Sequence, residues 1–472
     1  MDSGVCWRCA YKNQGCRNQS DDIIKRKWKT NMRYFIDSHD KILEIVNSNA
    51  NIECYNFNNR ILGKIFCNGD FKYIKHENYD KNYIRLLDGN KMGQCCVAGN
   101  ILSISQIIER AIMSAKHNND VTSISVFPRN TDDYPTPKIY DENIDRMNLS
   151  DIEQYILKTK SYIQKKAPGV ECDIACESEV KNIKIVNSSG LAQGYKKTGI
   201  HMSVWLKKER NGQLFTIYDK ASSLKIDDFH EFIGQILNEL EWETLELKNI
   251  ILDNSYSVIL APKILGQILV TLYSMNSYQF ISQKVSPISK LIDKQIFANG
   301  LCITDSGCDD WAVNSSPFDD EGVATRTTQL FQNGYYKNSI SDCETVEKYH
   351  VYPTGNARKK NGFTMPFNNN VSIILPNQNE ISFGRMVKET KRGIYMAMAN
   401  VDCNIRGEFA LSSNNAYIIE NGEVVAKVGD ILKCSGNVFE LLGYIDQLST
   451  DKSIAKGNMY LPYALINNFS FK

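Results

Sequence analysis

SSPFDDEGVATRTTQLFQNGYYKN, residues 315–338, sets Pro317, three consecutive acids (Asp319, Asp320, Glu321) and Gly322 ahead of an alternating run. The first half is poor helix material and reads as an ordered loop. From Val323 the residues alternate as an edge-type strand. Asn333-Gly334 then supplies the two positive-φ positions of a type I′ turn. This stretch is therefore an acidic loop that feeds a β-hairpin. Its carboxylates are either solvated or they order the wall of a cleft or a subunit contact.

Its spacing, S-x-P-F-D-x-E-G-V-x-T followed by Leu330 and Gly334, resembles the signature of the TldD/PmbA family. Three further blocks are similar to that family in the same order: SFGRMVKETKRGIY at 382–395, YIIENGEVV at 417–425 and GNMYLP at 457–462. The likeness runs from about residue 258 to the C-terminus and is weak before it, mainly at 89–116. It implies metal-dependent peptide processing. It also implies that Pro317, Phe318, Asp319, Glu321, Gly322 and Thr325 form a loop that serves a substrate or a partner.

The family's metal-bearing branch carries H-E-x-x-x-H on a helix of the C-terminal domain, where two imidazoles bind the metal and a carboxylate supplies a base. The matching helix here reads ILVTLYSM, residues 268–275, with Val270, Thr271 and Met275 at the three positions. None can replace an imidazole ligand or a catalytic carboxylate. The resemblance is thus to the PmbA (TldE) branch. It implies no catalytic residue and no metal in the C-terminal domain, with a metal-bearing TldD-like subunit, or a second copy of this chain, as partner and an unfolded peptide as substrate. HEFIGQ at 230–235 begins like the metal motif, but Gln235 stands where the last histidine is needed. Whether the chain has activity of its own is left open, and a stand-alone pseudoenzyme or a homodimeric peptide-binding module is the alternative.

Outward from this core the chain reads as α+β. An N-terminal part has antiparallel strands and amphipathic helices, and a β-rich C-terminal domain has mixed sheets. With 472 residues it exceeds a single core, so two or three domains are expected. We place boundaries at 1–24 (a Cys-bearing segment), 25–119, 120–245 and 246–472. Residues 23–49 have helical periodicity and 52–83 alternate in short runs. A helix over 100–117 opens with a capping box of Ser103 and Gln106. A second helix is expected to be capped by Ser150 with Glu153 and ended by Ala167-Pro-Gly. Strand-like runs follow at 171–177, 180–187 and 198–207, then a helix over 226–240. A strand at 256–260 leads to a helix opening at Pro262.

A net charge of +1 and dispersed Lys and Arg leave nucleic-acid binding unsupported. No apolar run approaches the roughly 18–20 residues of a membrane span, and the N-terminus lacks the apolar stretch of a secretory signal, so a cytoplasmic location is expected. Most of the 14 cysteines read as small buried hydrophobes of a reducing compartment. Cys6, Cys9 and Cys16 form a C-x-x-C plus a third thiol, a weak metal candidate without a local fourth ligand. Cys403 has no identifiable base beside it. None of the six histidines sits in a hydrolase sequence context.

Overall fold

A computed structural model describes residues 51–99, 102–250, 256–360, 363–376, 381–454 and 459–467. The expected helix over 23–49 and the Cys6, Cys9 and Cys16 candidates lie outside the described residues.

Long antiparallel strands dominate the first half: β1 (Asn51–Cys67), β2 (Asp70–Asp88), β3 (Lys91–Ala98), β4 (Glu171–Asn187), β5 (Ala192–Arg210) and β6 (Gln213–Ser223). They form one sheet in the order β3-β2-β1-β4-β5-β6. The pairing of β1 with β4 joins Glu53 to Asn187 and Phe66 to Ile174. The stretches on either side of the boundary expected near residue 119 therefore share a sheet, and the segment after 117 only connects its two halves. The runs expected separately at 171–177 and 180–187 are likewise one strand.

One face of this sheet is covered by helices. Helix α1 (Ile104–His117) starts at the predicted Ser103–Gln106 capping box. It buries Ile107, Ile108, Ala111 and Ala115 against Ile52, Cys54, Ile84 and Leu86. A short helix α2 (Glu142–Arg146) precedes α3 (Leu149–Lys166). The cap of α3 is Asn148, paired with Asp151, rather than Ser150 with Glu153. Asn148 accepts from the amides of both Ser150 and Asp151, so the helix gains a capped start one residue before Ser150. Helix α4 (His230–Glu243) starts at the left-handed Phe229, four residues later than the periodicity suggests. Helices α3 and α4 bury Ile152, Ile156, Ile233 and Leu240 against Cys172, Ile174, Met202 and Val204.

The strands change faces along their length, and this positions the site. On β4, Cys172, Ile174 and Cys176 pack toward the helices, whereas Ile183 and Ile185 join Tyr55, Leu191 and Phe318 in a separate cluster. Side chains of opposite parity point to opposite faces of a strand. The far end of the sheet therefore buries its other face, and it does so against the loop that carries Phe318.

The second half is a mixed sheet. After β7 (Leu247–Lys248) and β8 (Ser257–Leu260), helix α5 (Pro262–Met275) begins at Pro262 as expected. Helix α6 (Tyr278–Ser282) leads to β9 (Cys302–Ser306), β10 (Thr327–Gln332) and β11 (Tyr335–Tyr336). Then come α7 (Cys343–Tyr349), the hairpin β12 (Ala357–Lys360) and β13 (Phe363–Pro366), β14 (Asn370–Ile374) and α8 (Phe383–Glu389). The chain continues through β15 (Arg392–Cys403), β16 (Glu408–Glu420), β17 (Glu423–Val428), β18 (Leu432–Asn437), α9 (Val438–Gly443), β19 (Ile445–Ile454) and β20 (Tyr460–Ile466). The large sheet runs β19-β20-β8-β15-β16-β17-β7, with β18 also on β16, and a smaller one runs β11-β10-β9-β14. Strands β8 and β15 are parallel and their neighbours antiparallel, so the sheet is mixed and the chain is α+β. The buried face of α5, with Ile264, Leu265, Ile268, Leu269 and Leu272, lies in the largest apolar core. Asn333 and Gly334 have φ of 52° and 80°, as the type I′ turn requires. No described helix is long and apolar enough to cross a membrane.

Candidate functional site

The acidic loop is not a solvated surface feature. Asp319 and Glu321 are each only 1% exposed. Asp319 closes the loop on itself: Oδ1 accepts the amides of Glu321 at 2.9 Å and Val323 at 3.0 Å, and Oδ2 accepts the amide of Ala357 at 2.9 Å. A short carboxylate that takes backbone N–H groups from a turn is a recurrent turn-fixing device. Thr325 Oγ1 donates to the carbonyls of Ser316 and Gly307. These bonds consume residues 323–326, and β10 therefore begins at Thr327 rather than at Val323. It also lies inside its sheet, between β9 and the two-residue β11, rather than at an edge.

Glu321 reaches the first half of the chain. Its Oε1 accepts from Arg85 Nη1 at 2.5 Å and its Oε2 from the Cys343 amide at 2.7 Å. Arg85 also holds Glu53 through Nε at 2.9 Å and Nη2 at 3.0 Å, and Lys359 Nζ donates to Glu53 Oε1 at 2.9 Å. Two buried acids and two buried bases thus clamp the sheet to the loop, with every carboxylate oxygen engaged. Burial would raise Glu321, but the Arg85 guanidinium holds its carboxyl below the usual range. Burial and the neighbouring Glu321 push Asp319 up to about 7. Burial likewise moves Asp305, on β9, to about 6 and, with Glu321 beside it, Asp342 to about 6.

Phe318 packs edge-on to Tyr134 and Tyr195, and the Tyr134 hydroxyl donates to the Gly322 carbonyl at 2.9 Å. Gly322 has φ +81°, and a Cβ there would sit 2.3 Å from Leu191 Cδ2. Of the residues singled out from sequence, Phe318, Asp319, Glu321, Gly322 and Thr325 are therefore turned into the chain's own interior. Pro317 is half-buried. The loop residues that border open space are Asp320 and, nearly covered, Ser316.

That space is a cleft of about 530 Å³ between the helix-free face of the first sheet and the segments 313–320, 358–359 and 367–368. Its floor carries a polar ladder across five strands, β2, β1, β4, β5 and β6. Asn59 Nδ2 donates to Tyr79 at 2.9 Å and to Glu179 Oε1 at 2.7 Å. Glu179 Oε2 lies 3.3 Å from His201 Nε2, and His201 Nδ1 lies 2.8 Å from Ser222 Oγ. Burial opposes ionisation of Glu179, yet its bonds to His201 and Lys181 hold the carboxyl down at about 2. The order serine, imidazole, carboxylate is that of a hydrolytic triad. Here it is a rung-by-rung sheet ladder, with His201 and Ser222 directly opposed on β5 and β6.

A second cleft of about 630 Å³ adjoins the first at Val313. It is bounded by Asp219, Lys220 and Ser222 of β6 and by Asn370, Val371 and Ser372 of β14. Among the described residues, β6 and β14 are each the outermost strand of their sheets. Lys263 crosses near this cleft to Asp219 at 2.7 Å.

The three positions that match the metal motif carry no imidazole or carboxylate. Val270, Thr271 and Met275 lie on α5, with Met275 fully buried in the apolar core and Val270 packed against it. Among the described residues no group of three or more His, Cys, Asp or Glu is gathered as a metal site. His230 stacks on Tyr162 at 3.7 Å and pairs with Asp228 at 2.9 Å, an edge-of-core role.

Residues 253–472 match the family described as the PmbA/TldA metallopeptidase C-terminal domain. A metalloprotease of Methanocaldococcus jannaschii is 26% identical over 206 residues, covering 43% of this chain and 45% of that protein. The crystal structure of TldE from Thermococcus kodakarensis superposes with a TM-score of 0.80 at 18% identity, covering 90% of this chain and 96% of that one. A DNA-gyrase-modulator structure from Thermotoga maritima superposes with a TM-score of 0.79 at 20% identity, covering 92% and 99%. The chain spans about three fifths or less of the length of the curated relatives it matches. The fold is shared with these solved structures, and the C-terminal domain matches the family model. Residues 253–472 belong to the TldD/PmbA family.

Sequence reasoning missed the cleft's basic side: Lys197 on β5 and Arg358 on β12. Each sits in a short run of bases, KK at 196–197 and RKK at 358–360, which resembles any solvated strand. Only the folded sheet turns Lys197, Arg358 and Lys359 toward the cleft.

Proposed function

We propose that this chain is the non-metal-binding subunit of a TldD/PmbA-type peptidase assembly in the cytoplasm. Its two adjoining clefts hold an unfolded peptide while a metal-bearing TldD-like subunit supplies hydrolysis. The observation that carries this reading is the meeting of two outermost strands, β6 and β14, at one open cleft. An extended peptide gains affinity by pairing its backbone with such an edge, largely independently of side chains. That suits a subunit that handles unfolded chains. The metal is assigned to the partner because Val270, Thr271 and Met275 offer no ligand set.

The deciding experiment measures peptide cleavage by the purified chain alone, and again after a metal-bearing family member is added. The expected result is binding without cleavage alone, and cleavage only in the mixture. Metal-dependent cleavage by the chain alone would contradict the assignment.

A further inference from the structure

We propose that the cleft over the first sheet is a carboxylate-binding pocket that captures the C-terminal carboxylate of the peptide through Arg358, Lys197, Asn368 and Ser316. This deepens the peptide-binding reading above and rests on it.

The first observation is charge. The cleft wall carries Lys81, Lys181, Lys197, Arg358 and Lys359 against only two carboxylates, Glu179 and Asp320. Two of these cations are neutralised: Lys181 pairs with Glu179 at 2.7 Å and Lys359 with Glu53 at 2.9 Å. Asp320 is already engaged, accepting from the Tyr55 hydroxyl at 3.0 Å and the Lys359 amide at 2.8 Å. Lys197 donates to the Ser315 carbonyl at 2.8 Å, and Arg358 donates to Asn369 Oδ1 and to its own Ala357 carbonyl. Among the described residues neither makes an ion pair with a carboxylate. A guanidinium has five N–H donors and an ammonium three, so both retain donors to spare. Burial and the neighbouring Lys181 and Arg358 hold the Lys197 amine well below the usual ammonium range, whereas Asp320 and Asp319 offset burial at Arg358, so an anion seated between the two bases would restore the charge of Lys197.

The second observation is independent of charge. Asn368 and Ser316 line the same cleft and are each only 2% exposed. The Asn368 amide lies beside Asp305 and the Ser316 hydroxyl beside Tyr195. Yet neither Asn368 Nδ2, Asn368 Oδ1 nor Ser316 Oγ has a hydrogen-bond partner of good geometry. Buried polar atoms left in this state are uncommon, because each forfeits its bonds to water without replacement. The two orphans adjoin the two cations in sequence. Lys197 is anchored on Ser315, next to Ser316, and Arg358 on Asn369, next to Asn368. One ligand with two acceptor oxygens could satisfy Arg358 and Lys197 together, and a side-chain turn that brings the covered Asn368 and Ser316 donors to the cleft surface would add them.

A peptide terminus suits the remaining walls. Tyr79 and Phe367 line the cleft with 36% and 43% of their surface open, and Phe57 is half-buried beside them. An apolar last side chain could cover these rings while the carboxylate sits at Arg358. The rest of the peptide would then run past Val313, which both clefts share, toward the β6 and β14 edges.

The test is fluorescence anisotropy with three labelled peptides of one unstructured sequence ending in Phe: the free acid, the C-terminal amide, and the amide carrying an internal Asp. The wild-type chain is expected to bind the free acid at least about tenfold more tightly than either amide. Arg358→Gln should reduce that preference to less than about threefold, and Arg358→Lys should restore part of it. If Arg358→Gln does not fold, Lys197→Gln, which keeps a donor for Ser315, should reduce the preference in the same way. Equal affinity for free acid and plain amide overturns the carboxylate pocket and leaves the peptide reading standing. If the internal-Asp amide matches the free acid, the claim for the terminus is overturned. Binding of none of the three overturns the peptide reading and this inference with it.

Discussion

Two polar regions lie side by side between the first sheet and the second half of the chain, and they differ in how far their hydrogen bonds are satisfied. In the clamp, Glu53, Arg85, Asp319, Glu321 and Lys359 exhaust one another and the nearby backbone amides. In the cleft, Lys197, Arg358, Asn368 and Ser316 keep unused capacity. Both sites hold buried polar and charged side chains, so burial alone does not distinguish structure from function. Saturation does: a network whose members are all partnered has nothing left to offer a ligand. The family's most recognisable motif falls on the saturated side.

That comparison breaks first at the clamp. Glu321→Ala strands the Cys343 amide and leaves Arg85 to Glu53 alone in a dry site. It should cost about 3–5 kcal/mol in urea unfolding, as removal of one partner from a buried pair does. A loss under about 1 kcal/mol would place Glu321 among surface acids instead. Gly322→Ala should cost about 2–3 kcal/mol, because it joins a left-handed backbone to a Cβ overlapping Leu191.

A titration sharpens the contrast. Asp305, Asp319 and Asp342 have folded-state values near 6, 7 and 6, above their unfolded value of 3.8. Groups raised on folding add stability below the unfolded value and lose it as pH rises through the folded one. The melting temperature should therefore fall as pH goes from about 4 to about 7.5. Glu179, depressed to about 2 from 4.5, contributes in the opposite sense and loses its contribution as pH falls below about 4.5. Asp342→Asn, which keeps a good cap for α7, should flatten the fall on the alkaline side. A melting temperature that rises steadily from pH 4 to 8 would refute this account of the buried carboxyls.

The smallest effect is expected in the cleft. Asn368 is as buried as Glu321, yet Asn368→Ala should cost less than about 1 kcal/mol, because no well-formed hydrogen bond is lost. A loss of about 3 kcal/mol would show that its amide is partnered after all.

These differences explain what the sequence disclosed. The α1 cap, the Pro262 helix start and the Asn333-Gly334 turn were legible because their partners lie within four residues along the chain. The single six-stranded sheet was not, since β1 finds β4 more than a hundred residues away. Nor was the burial of the acidic loop, for Glu321 meets Arg85 across 236 positions. Composition there suggests solvation, and only the long-range partner reverses it. Asn148 and Ser150 could each have capped α3, and local pattern alone cannot choose between two good caps. The cleft's orphans gave no signal at all, because an unpaired asparagine looks like any other until its surroundings are assembled.

The account stands most directly on Glu321→Gln, which keeps the shape of the loop and removes its charge. Anisotropy of the free-acid peptide should be measured on this variant and the wild type at a temperature where both are folded. The account predicts a lower melting temperature with peptide affinity within about twofold of wild type. An unchanged melting temperature with affinity reduced tenfold or more would put the loop's acids in the binding site and contradict the division between clamp and cleft.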